Sequence, residues 1–519
     1  MKSLKNKIGP KLASYGEASV YEGFPYFTYV VTEPKLAEKE KITVEYLKNL
    51  LMGSASVEEV RKKLPWLNVG FFKEFREKII AQITYSNALS TIIKPEEFSA
   101  LKITLIALFK EFQPNIKDPA LLTNIIMDHT IGYGLIASLL RDPNLEEIMI
   151  NGYKRPIFVF HKRYGMCKTN IVMKKEKTLD TLIKRIASTI GKNIGPNDPL
   201  LDARLLSGDR ANATFINVTP MGPTLTIRKF TTIPLSIVDL IAKKTITSEL
   251  AAFLWVMVEG LNIEPMNMII TGGAGSGKTT IMNALASFMK YQDRVITIED
   301  TLELHLGSRE NWIQMESKPK TRDSDEITMD DLLKNSLRMR PDRLLVGEVR
   351  GREAQTLFVA MDTGHRGSMG TIHSNSGKEL ILRLKAEPMA VSESMIPLLE
   401  LIIVMYRVYL KEKGILRRIA HVCEITSMEG KPLISDIFEW NKEDDIIERT
   451  NVPSHTLEVL ADKTMKSKKE IMKEISVRKK ILDWMIKNNI RSSPEVETVI
   501  QSYYINPKEI LQEVLDDNE

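Results

Sequence analysis

The chain has almost no cysteine. Cys167 and Cys423 are the only two. A pair so far apart neither builds a disulfide framework nor fills a four-ligand zinc site, and a cytosolic chain is the simple reading. Nor is there an excess of one charge. Lys and Arg number 72 against 67 Asp and Glu, for a net charge of +5. That balance argues against a dedicated nucleic-acid binder and leaves room for mild attraction to anionic lipid. Long hydrophobic runs are missing too. The most apolar stretch, Pro397 to Leu410, contains Glu400 and Arg407 and is too short to cross a bilayer. The start, Met1-Lys2-Ser3-Leu4-Lys5-Asn6-Lys7, is basic but leads into no apolar segment, so no signal peptide is expected and any membrane role is peripheral. A basic run interleaved with aromatic residues, as a strand-tracking helicase needs, is also lacking. What remains is the balance of a globular protein, 43% hydrophobic and 27% charged. At 519 residues about three domains are expected.

Against this background one stretch carries chemistry. Gly272-Gly273-Ala274-Gly275-Ser276-Gly277-Lys278-Thr279 fits the phosphate-binding pattern G-x-x-x-x-G-K-[ST] at every fixed position. The apolar segment Met266–Ile270 before it reads as a buried strand, and Thr280 to Ala286 behind it reads as a helix. Glycines let the backbone curl until successive N–H groups point at phosphate oxygens, and the helix N-terminus adds positive dipole. Lys278 is expected to reach the β- and γ-phosphates and the Thr279 hydroxyl to ligate Mg²⁺. The eight loop residues and Thr280 after them are the expected nucleotide contacts.

Taken in order, residues 1–130 read as a mostly helical partner-binding region. It carries one strand or hairpin at Tyr21–Val31, helical spacing over Ser54–Leu64 and Gly70–Ile83, and a turn at Asn115–Pro119. The aromatics Trp66, Phe71, Phe72 and Phe75 form either a small core or a docking surface, and core placement is the commoner outcome. Residues 131–230 read as α/β, with strands at Ile148–Gly152 and Ile157–His161 and an amphipathic helix over Leu179–Ile190. Further strands there carry Arg204, Arg210 and Arg228. Taken alone, these arginines are surface charges. A short linker is expected over 231–240, an α/β nucleotide-binding domain over 241–450 and a helical region over 451–519.

Two more strands end in carboxylates. Val295 to Glu303 reads as a strand that ends in the carboxylates Glu299, Asp300 and Glu303, and Asp342 to Glu348 as a second acidic strand end. Ligands of parallel sheets sit at the carboxyl ends of strands. Such carboxylates could orient water or hold Mg²⁺, although those after Glu299 could equally cap a helix. The second strand has the Walker B arrangement, with Gly347 where many P-loop proteins have aspartate, so Glu348 is left to serve the metal or its waters. Arg338 and Arg340 stand just upstream and could stabilise γ-phosphate charge. His365 and His373 lack further ligands at metal-binding spacing, which leaves core histidine or γ-phosphate sensor.

This order of motifs resembles the type II/IV secretion ATPases. The glycine loop, Ile298–Glu303, Arg340–Gly351, and Thr363-Gly364-His365 with Thr371-Ile372-His373 match that family's Walker A, Asp box, Walker B and His box. Asn151-Gly152, Asp202–Leu205, Gly208–Arg210 and Ile227–Phe230 are similar to its N2 domain. The two ends look like the archaeal branch, which drives archaella and archaeal type IV pili. The resemblance implies a RecA-like P-loop core preceded by an α/β N2 domain, with helical N- and C-terminal regions. It implies Glu303 as catalytic base, Glu348 as the Walker B glutamate, and His373 with His365 as the His box. It implies Arg210 and Arg228 as arginines presented to nucleotide, which replaces the surface-charge reading. ATP and Mg²⁺ are the implied cofactors and a homo-hexamer the implied assembly. The implied partners are a polytopic inner-membrane platform protein and accessory filament-motor proteins, with the chain cytoplasmic and peripheral to the membrane. Two cysteines cannot supply the four-cysteine zinc insertion of bacterial type II secretion and pilus-extension relatives. A conjugation or substrate-export ATPase of the same superfamily and a nucleic-acid translocase stand as alternatives.

Overall fold

The computed structural model describes residues 9–32, 34, 36–113, 116–229, 234–318, 325–410, 414–428 and 430–516. It divides into two compact units, 1–230 and 231–519. No helix among the described residues is long and apolar enough to cross a membrane.

Among the described residues the first unit holds nine strands: β1 (Lys11–Tyr15), β2 (Ala18–Tyr21), β3 (Phe27–Val31), β4 (Leu145–Asn151), β5 (Pro156–His161), β6 (Gly165–Val172), β7 (Leu200–Arg204), β8 (Arg210–Thr214) and β9 (Thr224–Arg228). They form one sheet in the order β1-β2-β3-β6-β5-β4-β9-β8-β7, antiparallel except for the β3–β6 pair. Alternate residues such as Ile157 and Val159 face a core closed by the helix Glu176–Thr189. Ala18, Val20 and Tyr29 of the N-terminal strands join that same core. The expected boundary near residue 130 is therefore corrected. Strands from the first 31 residues complete the sheet, and the helices between them and β4 build a separate core of their own.

In that helical core Phe71 lies 5.5 Å from both Phe75 and Phe109, and Phe71, Phe72 and Phe75 are all buried. Trp66 is half-buried and donates its indole N–H to Thr43. The small-core reading of these aromatics holds. The helix expected over Gly70–Ile83 is a helix at Val69–Phe75, a π-turn at Arg76–Ile80 and a further turn of helix at Ala81–Tyr85. Arg185, from the helix under the sheet, gives its guanidinium to the carbonyls of Ala88, Thr91, Thr130, Ile131 and Gly132 and so stitches the two cores together. Asn115, expected in a turn, Phe230, expected at the end of the α/β region, and Thr231–Ile233, expected in the linker, lie outside the described residues. The far end of the expected linker is helical, at Ile237–Ala242, because Ser236 and Asp239 form a capping box.

The second unit holds β10 (Met268–Gly272), β11 (Val295–Glu299), β12 (Trp312–Glu316), β13 (Arg343–Val346), β14 (Met369–Ile372), β15 (Leu401–Leu410), β16 (Gly414–Met428), β17 (Lys431–Asn441) and β18 (Ile446–Arg449). The order is β12-β11-β13-β14-β10-β15-β16-β17-β18, parallel as far as β15 and antiparallel beyond it. β10, β11, β13 and β14 are buried along their whole length, as apolar strands with both faces covered must be. One strand, β14, separates the glycine-loop strand β10 from the acidic strand β13. This is a RecA-like core.

The C-terminal helices His455–Thr464, Lys468–Lys487, Ser493–Ile505 and Pro507–Asp516 belong to the same hydrophobic core as β10. Their anchor is Arg478. It lies wholly buried with its guanidinium 2.9 Å from Glu259, 3.0 Å from Glu474 and 5.2 Å from the Trp255 ring. A buried charge left without its partner is destabilising by about 3–5 kcal/mol, whereas apolar replacement of the whole pair is close to neutral. Arg478→Met should therefore lower the urea midpoint strongly, and adding Glu259→Met should recover much of the loss. Equal midpoints for the single and double variants would show that the pair is not what holds the helix.

Candidate nucleotide-binding site

The parallel strands deliver their carboxyl ends to one edge of the sheet. Thr271 pairs with Ile372 and Val346 with Ile298, so Gly272, His373, Gly347 and Glu299 leave the sheet side by side. At Gly272 φ is +152°, and a Cβ there would come 2.4 Å from the Met405 carbonyl and 2.6 Å from Ser276 Oγ. Only glycine lets the chain turn out of β10 at this point. The helix Lys278–Ala286 follows directly and aims its first N–H groups at the loop.

Side chains converge here. Lys278 Nζ donates to the carbonyls of Gly272 (3.0 Å) and Gly273 (3.2 Å) and lies 3.4 Å from both ring nitrogens of His373. His373 Nε2 is 3.1 Å from Glu348 Oε1. Glu348 Oε2 accepts from Arg350 at 2.5 Å, and Arg350 reaches Asp300 at 3.6 Å. Burial would push the Glu348 carboxyl up, but the Arg350 bond and the charges of Arg350, His373 and Lys278 outweigh it and hold the group below its ordinary value. Burial and the Lys278 charge lower His373 against the pull of Glu348, which keeps the imidazole neutral at neutral pH. A neutral ring beside an ionised carboxylate and a buried ammonium can pass a hydrogen bond to a phosphate and lose it when the phosphate leaves.

Glu299 is 1% exposed. Its Oε2 accepts from the backbone N–H groups of Glu303 (2.7 Å) and Leu304 (2.9 Å), and Oε1 is buried without a hydrogen-bond partner among the described residues. It thereby fixes the turn that carries Glu303. A Cβ on Gly347 would sit 2.8 Å from Glu299 Cγ, which explains the glycine at that place in the second acidic strand.

Mg²⁺ keeps several waters and takes phosphate oxygens, so it asks the protein for only one or two donors. Among the described residues no group of three or more His, Cys, Asp or Glu could hold a metal by itself. Thr279, on the first turn of the loop helix, and Glu348, whose buried Oε1 has only the His373 ring beside it among the described residues, fit that smaller demand. The Ser276 hydroxyl, inside the loop, is a further buried group without a hydrogen-bond partner among the described residues.

Not every residue expected at the site arrives. Arg338 and Arg340 precede β13 and His365 precedes β14, so all three lie at the amino edge of the sheet, opposite the loop. Within this chain they are not brought to the glycine loop. Proximity in sequence to a motif does not say which end of the strand a residue occupies. Arg210 and Arg228 belong to the first unit, directly paired across β8 and β9, with Arg210 on Asp202 at 2.7 Å. Three features of the site were missed. Arg350 stands two residues past Glu348, within the quoted motif, and its charge was the available signal. The seating of Glu299 beneath Gly347 and the approach of Arg407 and Arg417 to the loop have no local sequence signal.

A family model described as type II/IV secretion system protein matches residues 133–485. The chain belongs to that family. Its relatives include the uncharacterized protein MJ0900 of Methanocaldococcus jannaschii, 30% identical over 487 residues, which are 92% of this chain and 85% of that protein. Protein MJ0781 of the same organism is 49% identical over 239 residues, 46% of this chain but only 33% of that relative's length. Conjugal transfer protein TrbB of Rhizobium radiobacter is 30% identical over 249 residues, 47% of this chain and 73% of that protein. Among solved structures, the ATPase DotB of Legionella pneumophila aligns with a TM-score of 0.41 at 20% identity, over 67% of this chain and 85% of that one.

In this member of the secretion family, burial first, and then the charges of Glu303 and Asp300, push the Glu299 carboxyl from 4.5 up to about 7, against its two backbone donors. Folding thus favours the protonated form. The stability it contributes is fully present below pH 4.5 and is lost as pH rises through about 7. Glu299→Gln stays neutral throughout. Wild type should therefore lose on the order of 3 kcal/mol relative to this variant as pH rises across that window. Urea titrations at several pH values read the difference, and Glu400, also raised by burial, is common to both proteins and cancels. A gap that does not change with pH would mean that Glu299 is ionised throughout.

Proposed function

We propose that the chain is an ATP hydrolase that powers secretion or filament assembly, working as a homo-hexamer with Mg²⁺. The observation that carries this reading is the continuous chain Lys278–His373–Glu348–Arg350–Asp300 under a glycine loop at one sheet edge. Lys278 leaves its loop carbonyls for the β- and γ-phosphates. Glu303, on the turn fixed by Glu299, takes the proton of the attacking water, and ADP and phosphate are the products. Thr279 and Glu348 would hold Mg²⁺, which would supply charge that offsets the phosphates. His373 senses the γ-phosphate. Arg210 and Arg228 supply cations from the first unit, which would release when phosphate leaves and so turn hydrolysis into a swing about the linker. The ring passes this swing to a polytopic membrane platform protein, with accessory motor proteins and anionic lipid as further contacts and no nucleic acid required. The Methanocaldococcus relatives are archaeal, in keeping with the archaeal branch that the two ends of the chain resemble. The TrbB likeness supports a conjugal-transfer reading of the same chemistry.

Steady-state ATPase rates across a protein concentration series test the proposal, with Lys278→Ala as the blank and single-stranded DNA or anionic vesicles in parallel wells. Activity per subunit should rise with concentration, since arginines supplied in trans are worth roughly 10³–10⁵ in rate. It should respond to vesicles and ignore DNA. Glu348→Gln should keep nucleotide binding while turnover falls roughly 10- to 100-fold. Strong stimulation by DNA alone would replace the filament reading with a translocase, and turnover near the wild-type rate in Glu348→Gln would remove the role given to that residue.

A further inference from the structure

Four consecutive carbonyls of the glycine loop face cations. Lys278 takes those of Gly272 and Gly273. The next two are met from the hairpin of β15 and β16, where Arg407 Nη1 donates to Ala274 O at 3.4 Å and Arg417 Nε to Gly275 O at 2.9 Å. β15 pairs with β10 only as far as Met405 opposite Gly272, then runs on to Leu410, and this overhang carries Arg407 alongside the loop. The fit is close, since a Cβ on Gly275 would sit 2.7 Å from Arg407 Nη1 and one on Gly277 3.3 Å from Arg417 Cδ.

Arg407 and Arg417 are also direct register partners across the hairpin. Like charges opposite one another on neighbouring strands repel. The arrangement is tolerable where both guanidinium groups meet the negative edge of a shared acceptor, and the loop carbonyls are such an edge. A carbonyl that accepts from a cation makes the N–H of its own peptide a stronger donor. Ala274 O shares its peptide with Gly275 N–H, and Gly275 O shares its peptide with Ser276 N–H. These are the central amides of the loop, those that phosphate oxygens would meet.

We propose that Arg407 and Arg417 are positioning residues for the bound nucleotide. From the hairpin they hold the carbonyl edge of the loop and strengthen the phosphate-facing amides, without touching the γ-phosphate themselves. This rests on the nucleotide reading of the site given above. It also separates the pair from Arg210 and Arg228, whose removal would slow turnover rather than loosen binding.

The test uses the full chain and a fluorescent ADP analogue, with ATPase kinetics and thermal melting on the same preparations. In Arg407→Gln/Arg417→Gln, Kd for the analogue and KM for ATP should both rise about tenfold, while kcat at saturating ATP changes by less than about twofold. Arg417→Lys, which keeps one donor and the charge, should recover part of the affinity. If the double variant does not fold, Arg407→Gln alone should still weaken binding about threefold at an unchanged melting temperature. Unchanged Kd, or a fall in kcat with Kd intact, overturns the proposal. The wild type compared with Lys278→Ala separates the two levels. If those two bind the analogue equally, the nucleotide reading fails and takes this one with it.

Discussion

The arrangement of the second unit depends on a steric constraint at the end of β10. The Met405 carbonyl of the neighbouring strand leaves no room for a side chain at position 272. The chain must therefore leave the sheet there as glycine, curl, and restart as the helix at Lys278. The curl turns peptide carbonyls one way and N–H groups the other. Once this is set, the flanking strands have little freedom. β14 and β15 are hydrogen-bonded to β10 on either side, so His373 and the β15 overhang are delivered to opposite flanks of the loop. β13 and β11 bring the carboxylates one and two strands farther out.

The electrostatics of the site follow from that placement. Glu299, Asp300, Glu303 and Glu348 gather at one sheet edge, some of them buried, and such a cluster is unfavourable without compensation. Lys278 and Arg350 answer it on the loop side and the strand side. Glu299 is handled differently, because it sits too deep for a cation and is met by two backbone donors and a raised affinity for its proton. Two carboxylates a few residues apart in space are thus pushed to opposite protonation preferences, the pattern that divides acid from base roles in hydrolases. Glu348 stays charged, and Glu299 trades charge for geometry by fixing the turn before Glu303.

Much of this was legible in the sequence because it is local. The glycine loop, its strand and its helix occupy contiguous residues, and each acidic strand end is read from an apolar run followed by a carboxylate. The family likeness rested on the same contiguous motifs. Other features required tertiary pairing. The strands of the first 31 residues look like part of a helical region until β3 finds β6, more than a hundred residues away. Arg338, Arg340 and His365 lie beside motifs in sequence yet at the wrong end of their strands, because direction along a parallel strand decides the edge. Arg407 reads as a flaw in an apolar stretch until the register with Arg417 and the overhang beyond β10 are known. The aromatic cluster at 66–75 illustrates the reverse case, where the general preference of aromatics for interiors was enough.

The C-terminal helices change what the loop can communicate. Trp255 lies 5.1 Å from Phe288 in a stacked pair, and its indole N–H reaches Tyr504 OH, which in turn donates to the Phe288 carbonyl. Phe288 stands two residues beyond the helix that begins at Lys278. Arg478 lies over the same Trp255 and Tyr504 rings. The helix that starts at the phosphate loop is therefore pinned at its far end to the aromatic cluster that also anchors the helices Lys468–Lys487 and Ser493–Ile505. Close-packed interiors move by switching between arrangements rather than by bending continuously. A shift of the loop helix along its axis must either carry these C-terminal helices with it or break the cluster. Within this unit the outer helices are thus part of the nucleotide-binding body and not an appendage to it.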